Sequence, residues 1–241
     1  MTRPLLVLGP SLGTSAATLW GACAELLAAD FDVLAWDLPG HGTARATGPV
    51  TVADLARGVL ERVDGPFFYA GDSVGGAVGL QLALDAPDRM LGLIALCTGA
   101  RIGTPEMWAE RADLVRASGT PSLVTASAQR WFGTGFVERE PGRASALLHA
   151  LSDADDAGYV AVCGALAAFD VRDRLGEIAV PVLVVAGGED VATPPDKLRE
   201  IAAGVPDGRY VELAGVAHLA PAEAPDEVAT LIREHCLERT R

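Results

Sequence analysis

No stretch of this 241-residue chain comes near the roughly 20 consecutive apolar residues needed to cross a bilayer. The opening Met1-Thr2-Arg3-Pro4 runs straight into the strand-like Leu5-Leu6-Val7-Leu8 with no cleavage site after it. Neither a spanning segment nor a secretory leader is therefore expected, and the expected compartment is the cytoplasm. Positive charge is scarce. A formal net charge of −13 argues against nucleic acid and anionic membrane as partners, since both need a cationic surface. The four cysteines, at 23, 97, 163 and 236, lie far apart with no histidine at metal-ligand spacing. They read as reduced, buried thiols, not as disulfides or a metal site. The glycine-rich segments hold neither a G-x-G-x-x-G opening a helix nor a Walker lysine, so no cofactor is expected. Repeats and low-complexity tracts are absent too.

What is there is half hydrophobic, with 15 prolines and 27 glycines, the composition of a folded core with room for an appendage. Strand-like runs fall at Leu5–Gly9, Val33–Asp37, Phe67–Gly71, Leu91–Cys97, Val182–Gly187 and Tyr210–Leu213. Most are unbroken Val/Leu/Ala/Ile runs, as expected for parallel strands covered on both faces. Helical patterns alternate with them at Leu19–Ala29, Thr51–Val63, Ala77–Asp85, Pro195–Ala203 and Glu223–Arg239. Thr51 and Asp54 are placed as a capping box. Such alternation predicts a doubly wound α/β sheet. Between Gly103 and Asp173 it stops, leaving only helical patterns at Pro105–Ser118, Ser122–Trp131, Arg143–Leu151 and Ala157–Phe169. That stretch is too long for an ordinary crossover. The chain therefore divides into a core of residues 1–102 and 174–241 and a helical cap of residues 103–173, inserted between late strands.

Gly71-Asp72-Ser73-Val74-Gly75-Gly76 follows the apolar run Phe67–Ala70 and precedes a helical pattern. Strand, Gly-x-Ser-x-Gly and helix in that order form a nucleophile elbow, in which glycines let the chain turn tightly under an exposed serine. A serine hydroxyl needs a base, and the base an orienting acid, in the chain order Ser, Asp or Glu, His. Asp190 lies in the turn after Val182–Gly187, with Glu189 as its neighbouring rival. Of four histidines, only His218, beyond the last strand, satisfies both order and position. His149 is in the cap, His235 in the terminal helix, and His41 precedes the serine and reads as a loop residue bonded to backbone. Oxyanion donors are expected from the backbone N–H of Val74 and from the turn after the first strand, at Leu12 or alternatively Gly13. This set suits acyl transfer to water. An anionic substrate would need local positive charge, because the overall field repels it.

Several pieces resemble the 3-oxoadipate enol-lactonases, α/β-hydrolase-fold enzymes of aromatic catabolism. These are Ser11-Leu12-Gly13-Thr14, the Gly71–Gly76 elbow, the segment from Gly99 to Trp108, and Arg130-Trp131-Phe132. The similarity runs from about Leu5 to the last helix. The elbow is general to the superfamily; the segments at Ala100–Trp108 and Arg130–Phe132, at the cap's edge, are the specific part. The elbow departs from the family in Asp72 and Val74, where leucine or valine and methionine are commoner. The resemblance implies that Ser73 opens a small anionic lactone with His218 as base and Asp190 as orienter. It assigns the substrate carboxylate to Arg130, with Arg101 second, and an apolar wall to Trp131. Another hydrolase of this fold (a carboxylesterase, perhydrolase or carbon–carbon hydrolase) shares the triad. A silent hydrolase-fold receptor or scaffold is the reading from a different class. Oligomeric state leaves no mark on the sequence.

Overall fold

In the computed structural model, which describes residues 3–237, the apolar runs pair into one sheet. Its strands are β1 (Leu5–Gly9), β2 (Asp32–Ala35), β3 (Phe67–Asp72), β4 (Met90–Leu96), β5 (Val182–Gly187) and β6 (Gly208–Leu213). All pairings are parallel, in the order β2-β1-β3-β4-β5-β6. β3 and β5 are buried at every residue, which explains their unbroken apolar runs. Edge strands β2 and β6 are partly exposed. Every carboxyl end lies at one rim, and the order reverses between β1 and β3, where ligands sit in open α/β sheets.

Two strands end earlier than the sequence suggests. β2 stops at Ala35, and Asp37 lies in the following loop, where its carboxylate accepts the N–H groups of Ala16 at 2.7 Å and Thr43 at 2.9 Å. β4 stops at Leu96 because Cys97 takes a φ of 44°, outside the β region.

The core helices before the cap are α1 (Ala16–Leu27), α2 (Val52–Leu60) and α3 (Val74–Asp85). Ser15 with Thr18 and Thr51 with Asp54 close capping boxes on the first two. α3 starts at the residue after Ser73, earlier than expected, because the elbow leads the chain directly into its first turn. The cap segment is helical throughout: α4 (Pro105–Ser118), α5 (Val124–Trp131), α6 (Phe136–Arg139), α7 (Pro141–Ser152) and α8 (Asp156–Ala168). A 3₁₀ turn over Thr120–Leu123 replaces the first part of the expected Ser122–Trp131 helix.

After the cap come α9 (Pro195–Gly204), α10 (Ala220–Glu223) and α11 (Pro225–Leu237). The last two correct the single expected helix from Glu223 to Arg239. Ala224, at φ −136° and ψ 60°, breaks it, because the residue before a proline is pushed out of the helical region; position 239 lies outside the described residues. α1 packs on α11, α2 on α3, and α4 on α8. Among the described residues no helix is long and apolar enough to cross a membrane.

Candidate active site

Ser73 links β3 to α3 at φ 54° and ψ −117°, a strained conformation that a non-glycine residue keeps only where its surroundings over-determine it. Close packing does so here. A Cβ on Gly71 would lie 2.2 Å from the Gly75 carbonyl oxygen, and one on Gly75 would lie 2.5 Å from the Gly9 backbone. The Ser73 N–H donates to the Leu96 carbonyl at 2.9 Å, and its own carbonyl accepts the Thr98 hydroxyl at 2.6 Å. The hydroxyl is thus fixed at the sheet's carboxyl rim.

His218 arrives from the turn after β6, with Nε2 3.1 Å from Ser73 Oγ and Nδ1 2.8 Å from Asp190 Oδ2. An ionised carboxylate only accepts, so Nδ1 carries the proton and Nε2 is left to accept from the serine. Asp190 also accepts the Thr193 hydroxyl at 2.7 Å and the amides of Ala192 at 2.8 Å and Thr193 at 3.0 Å. Burial works to raise its pKa, but the His218 charge and these hydrogen bonds outweigh burial and hold it below the ordinary range. Glu189 points elsewhere: it accepts the N–H of cap residue Thr134 at 2.7 Å and its hydroxyl at 2.8 Å.

Leu12 lines the cavity above Ser73 together with Ser11. Val74 opens α3, so its N–H has no intrahelical partner. Gly13 holds the same turn at φ 85°, where a Cβ would meet Leu151 and Trp131. His41 is buried, with Nδ1 2.9 Å from the Pro39 carbonyl oxygen, and burial pushes its pKa down. It stacks on Tyr159 at 6.0 Å between ring centroids, one layer behind the cavity wall.

From the cap, the cavity is walled by Trp108, Arg111, Arg130, Trp131 and Tyr159. Arg130 and Trp131 are therefore among the residues at the cavity. Arg101 is not: it lies off the cavity and faces Asp170 at 4.0 Å, a correction with a plain electrostatic reason. Arg111 was missed. It stands one helical turn beyond Met107 and Trp108 on α4, a spacing that places all three on neighbouring positions of one face. Its guanidinium lies 5.3 Å from the centre of the Trp108 ring. Tyr159 lines the same wall, and burial pushes its phenol up to about 12 against the lowering effect of the Arg111 charge. Burial, and then the neighbouring Arg111 charge, lower the Arg130 pKa. Two cations thus share one partly dry wall.

Beneath the site, Asp72 is fully buried and neither carboxyl oxygen has a hydrogen-bond partner. Burial, reinforced by Asp190 and Glu223, holds its pKa well above the ordinary range. All four cysteines are buried and unpaired. Among the described residues no group of three or more His, Cys, Asp and Glu is arranged to hold a metal ion.

Comparison with known proteins adds relatives to this geometry. The model of the alpha/beta hydrolase family matches residues 6–231. A 3-oxoadipate enol-lactonase of Acinetobacter baylyi is 35% identical, over 79% of this chain and 73% of its own length. The crystal structure of an enol-lactonase from Burkholderia xenovorans superposes with a TM-score of 0.93 at 34% identity, covering 98% of this chain and 92% of that one. A thermophilic esterase from Thermogutta terrifontis, determined with malate bound, gives a TM-score of 0.90 at 27% identity, over 97% of this chain and 89% of the other.

Proposed function

The chain belongs to the alpha/beta hydrolase family, and from that premise we propose that it uses Ser73 to open 3-oxoadipate enol-lactone to 3-oxoadipate in aromatic catabolism. The observation that carries the substrate choice is the pair Arg111 and Arg130 facing the Ser73 cavity. Two like charges on one half-buried wall repel each other, and an anion between them relieves that repulsion. In a protein of net charge −13, such a pair is a local exception that suits a small substrate bearing a carboxylate. The similarity to enol-lactonases supports the same choice.

In this reading, His218 Nε2 takes the Ser73 proton as Oγ attacks the lactone carbonyl. Asp190 keeps the imidazole in the productive tautomer and stabilises the imidazolium. The N–H groups of Leu12 and Val74 receive the oxyanion. The tetrahedral intermediate collapses by breaking the ring C–O bond. The departing enol oxygen takes the proton from His218, and the enol becomes a ketone. Water, activated by the same His218, then cleaves the acyl-enzyme and releases the dicarboxylate. Arg111 and Arg130 hold the free carboxylate throughout, and Trp131 limits the ring's movement. Buried, unpaired thiols suit a reducing cytoplasmic setting.

The deciding test is hydrolysis of freshly generated enol-lactone by wild type and Ser73→Ala, with spontaneous decay subtracted. We expect turnover that falls by about 10⁴- to 10⁶-fold in the variant. If p-nitrophenyl acetate is cleaved through Ser73 while the lactone is not, the triad stands and the lactone is wrong. Failure of Ser73 to react with a fluorophosphonate probe would favour the silent receptor.

A further inference from the structure

Glu223, at the end of α10, does not line the substrate cavity, yet its carboxylate gathers N–H groups from two separate parts of the molecule. Oε1 accepts from Ala217 at 3.0 Å and from Leu219 at 3.4 Å, the residues on either side of His218. Oε2 accepts from Gly133 at 2.6 Å, in the cap turn that follows Trp131. Between these bonds, the N–H of His218 itself donates to the carbonyl of Trp131 at 3.1 Å. Gly133 approaches the His218 turn so closely that a Cβ there would lie 2.4 Å from the Gly215 carbonyl oxygen. One carboxylate therefore holds the turn that presents the base against the turn that presents the cavity wall.

We propose that Glu223 is a positioning residue that sets the cap's Trp131–Thr134 turn and the His218 imidazole in a single register. The backbone N–H groups at 133, 217 and 219 have few other ways to be satisfied at this partly buried seam, and charge-assisted bonds to a carboxylate are the stronger kind. Glu223 thereby acts on the reaction through His218 without touching substrate. A shift of about 1 Å in such a group is enough to cost about 100-fold in rate. The inference rests on the serine–histidine part of the function proposed above and not on the identity of the lactone.

The test uses Glu223→Gln, which keeps the shape but replaces one acceptor oxygen by a donor, and Gly133→Ala, which disturbs the same seam from the cap side. Rates are measured on p-nitrophenyl acetate and on the enol-lactone, with Ser73 labelling by a fluorophosphonate probe and thermal melting alongside. We expect kcat on both substrates, and the labelling rate, to fall about 10- to 100-fold in Glu223→Gln. KM should stay within about threefold, and the double variant should be little worse than either single one, as expected when two residues act through one contact. A merely structural role predicts a lowered melting temperature with unchanged kcat in the folded fraction, and that result overturns the proposal. Additive losses, or a change confined to KM, overturn it as well. Wild-type protein that fails to take up the probe overturns the serine reading and this one with it.

Discussion

Ser73 and Arg111 face the same cavity from opposite sides, and the structure holds them by different means. Ser73 is fixed by backbone: the clash-limited glycines at 71 and 75, three hydrogen bonds to its own peptide groups, and a strand buried at every residue. Arg111 is held by a side-chain contact, its guanidinium 5.3 Å from the centre of the Trp108 ring. The core thus leaves little freedom in where Ser73 stands. The cap presents long, flexible groups whose identity can change without disturbing the sheet. In the proposed function, chemistry belongs to the first region and choice of substrate to the second, and the two meet at the seam where Glu223 and Glu189 reach residues 133 and 134.

The largest effect is expected at the elbow. Gly75→Ala would place a methyl group 2.5 Å from the Gly9 backbone and 2.7 Å from the Pro10 carbonyl oxygen, which accepts the Gly75 N–H. Neither neighbour is a flexible side chain, so the elbow must move. We expect a stability loss of about 3 kcal/mol or more, at the upper end of overpacking costs. Hydrolysis of every ester, neutral or anionic, should fall by about 100-fold or more. Denaturant unfolding and assays on two substrates check both parts. A variant of normal activity would mean that the glycine is not what positions Ser73.

Substitutions in the cap should separate the substrates instead of abolishing the chemistry. Arg111→Ala and Arg130→Ala each remove one charged donor, and hydrogen bonds to charged groups contribute about 1.5–3 kcal/mol. We expect each to lower kcat/KM on the anionic lactone by about 10- to 100-fold. Rates on p-nitrophenyl acetate should stay within about threefold. Equal losses on both substrates would instead indicate a collapsed cap.

The same contrast explains what the sequence discloses. Backbone constraints leave local marks, so the elbow, the turn holding Asp190 and the post-strand His218 are legible from glycine spacing and chain order. The positions of cap side chains depend on how helices pack, and that is nonlocal. Arg101 and Arg111 look alike as residues near Trp108, yet Arg101, in the loop before α4, faces Asp170, whereas Arg111, on α4, faces the cavity. Glu189 and Glu223 are equally silent in sequence, because their partners at 133, 134, 217 and 219 come together only in the fold.

Within the core, Asp72 is the exception that tests how rigidly the floor of the site is set. Its folded pKa is raised, first by burial and then by Asp190 and Glu223. The folded state therefore keeps a proton that the unfolded chain gives up above about pH 4. Stability from this group is complete below the unfolded pKa and declines as pH rises towards the folded one. Asn has no proton to lose, so the stability of Asp72→Asn relative to wild type should be lowest below about pH 4 and rise steadily from there to pH 8. A gain of about 1–2 kcal/mol would raise the melting temperature by about 2–8 °C in a protein of this size. Melting curves across that pH range check the sign. A deficit that grows with pH would mean that Asp72 is ionised and has a partner.

The smallest expected effect sharpens the cap half of the comparison. Arg101 is partly exposed and sits 4.0 Å from Asp170, which Arg172 already engages at 2.7 Å. Exposed pairs of this kind contribute about 0–1 kcal/mol, and Asp170 keeps its better partner when Arg101 is removed. Arg101→Ala should therefore leave melting within about 2 °C and lactone kinetics within about twofold, although the residue lies only a short step along the chain from Arg111. Kinetics on the lactone decide the matter. A loss comparable with that of Arg111→Ala would show that the guanidinium leaves Asp170 to meet the substrate, and the carboxylate subsite would then extend to the start of α4.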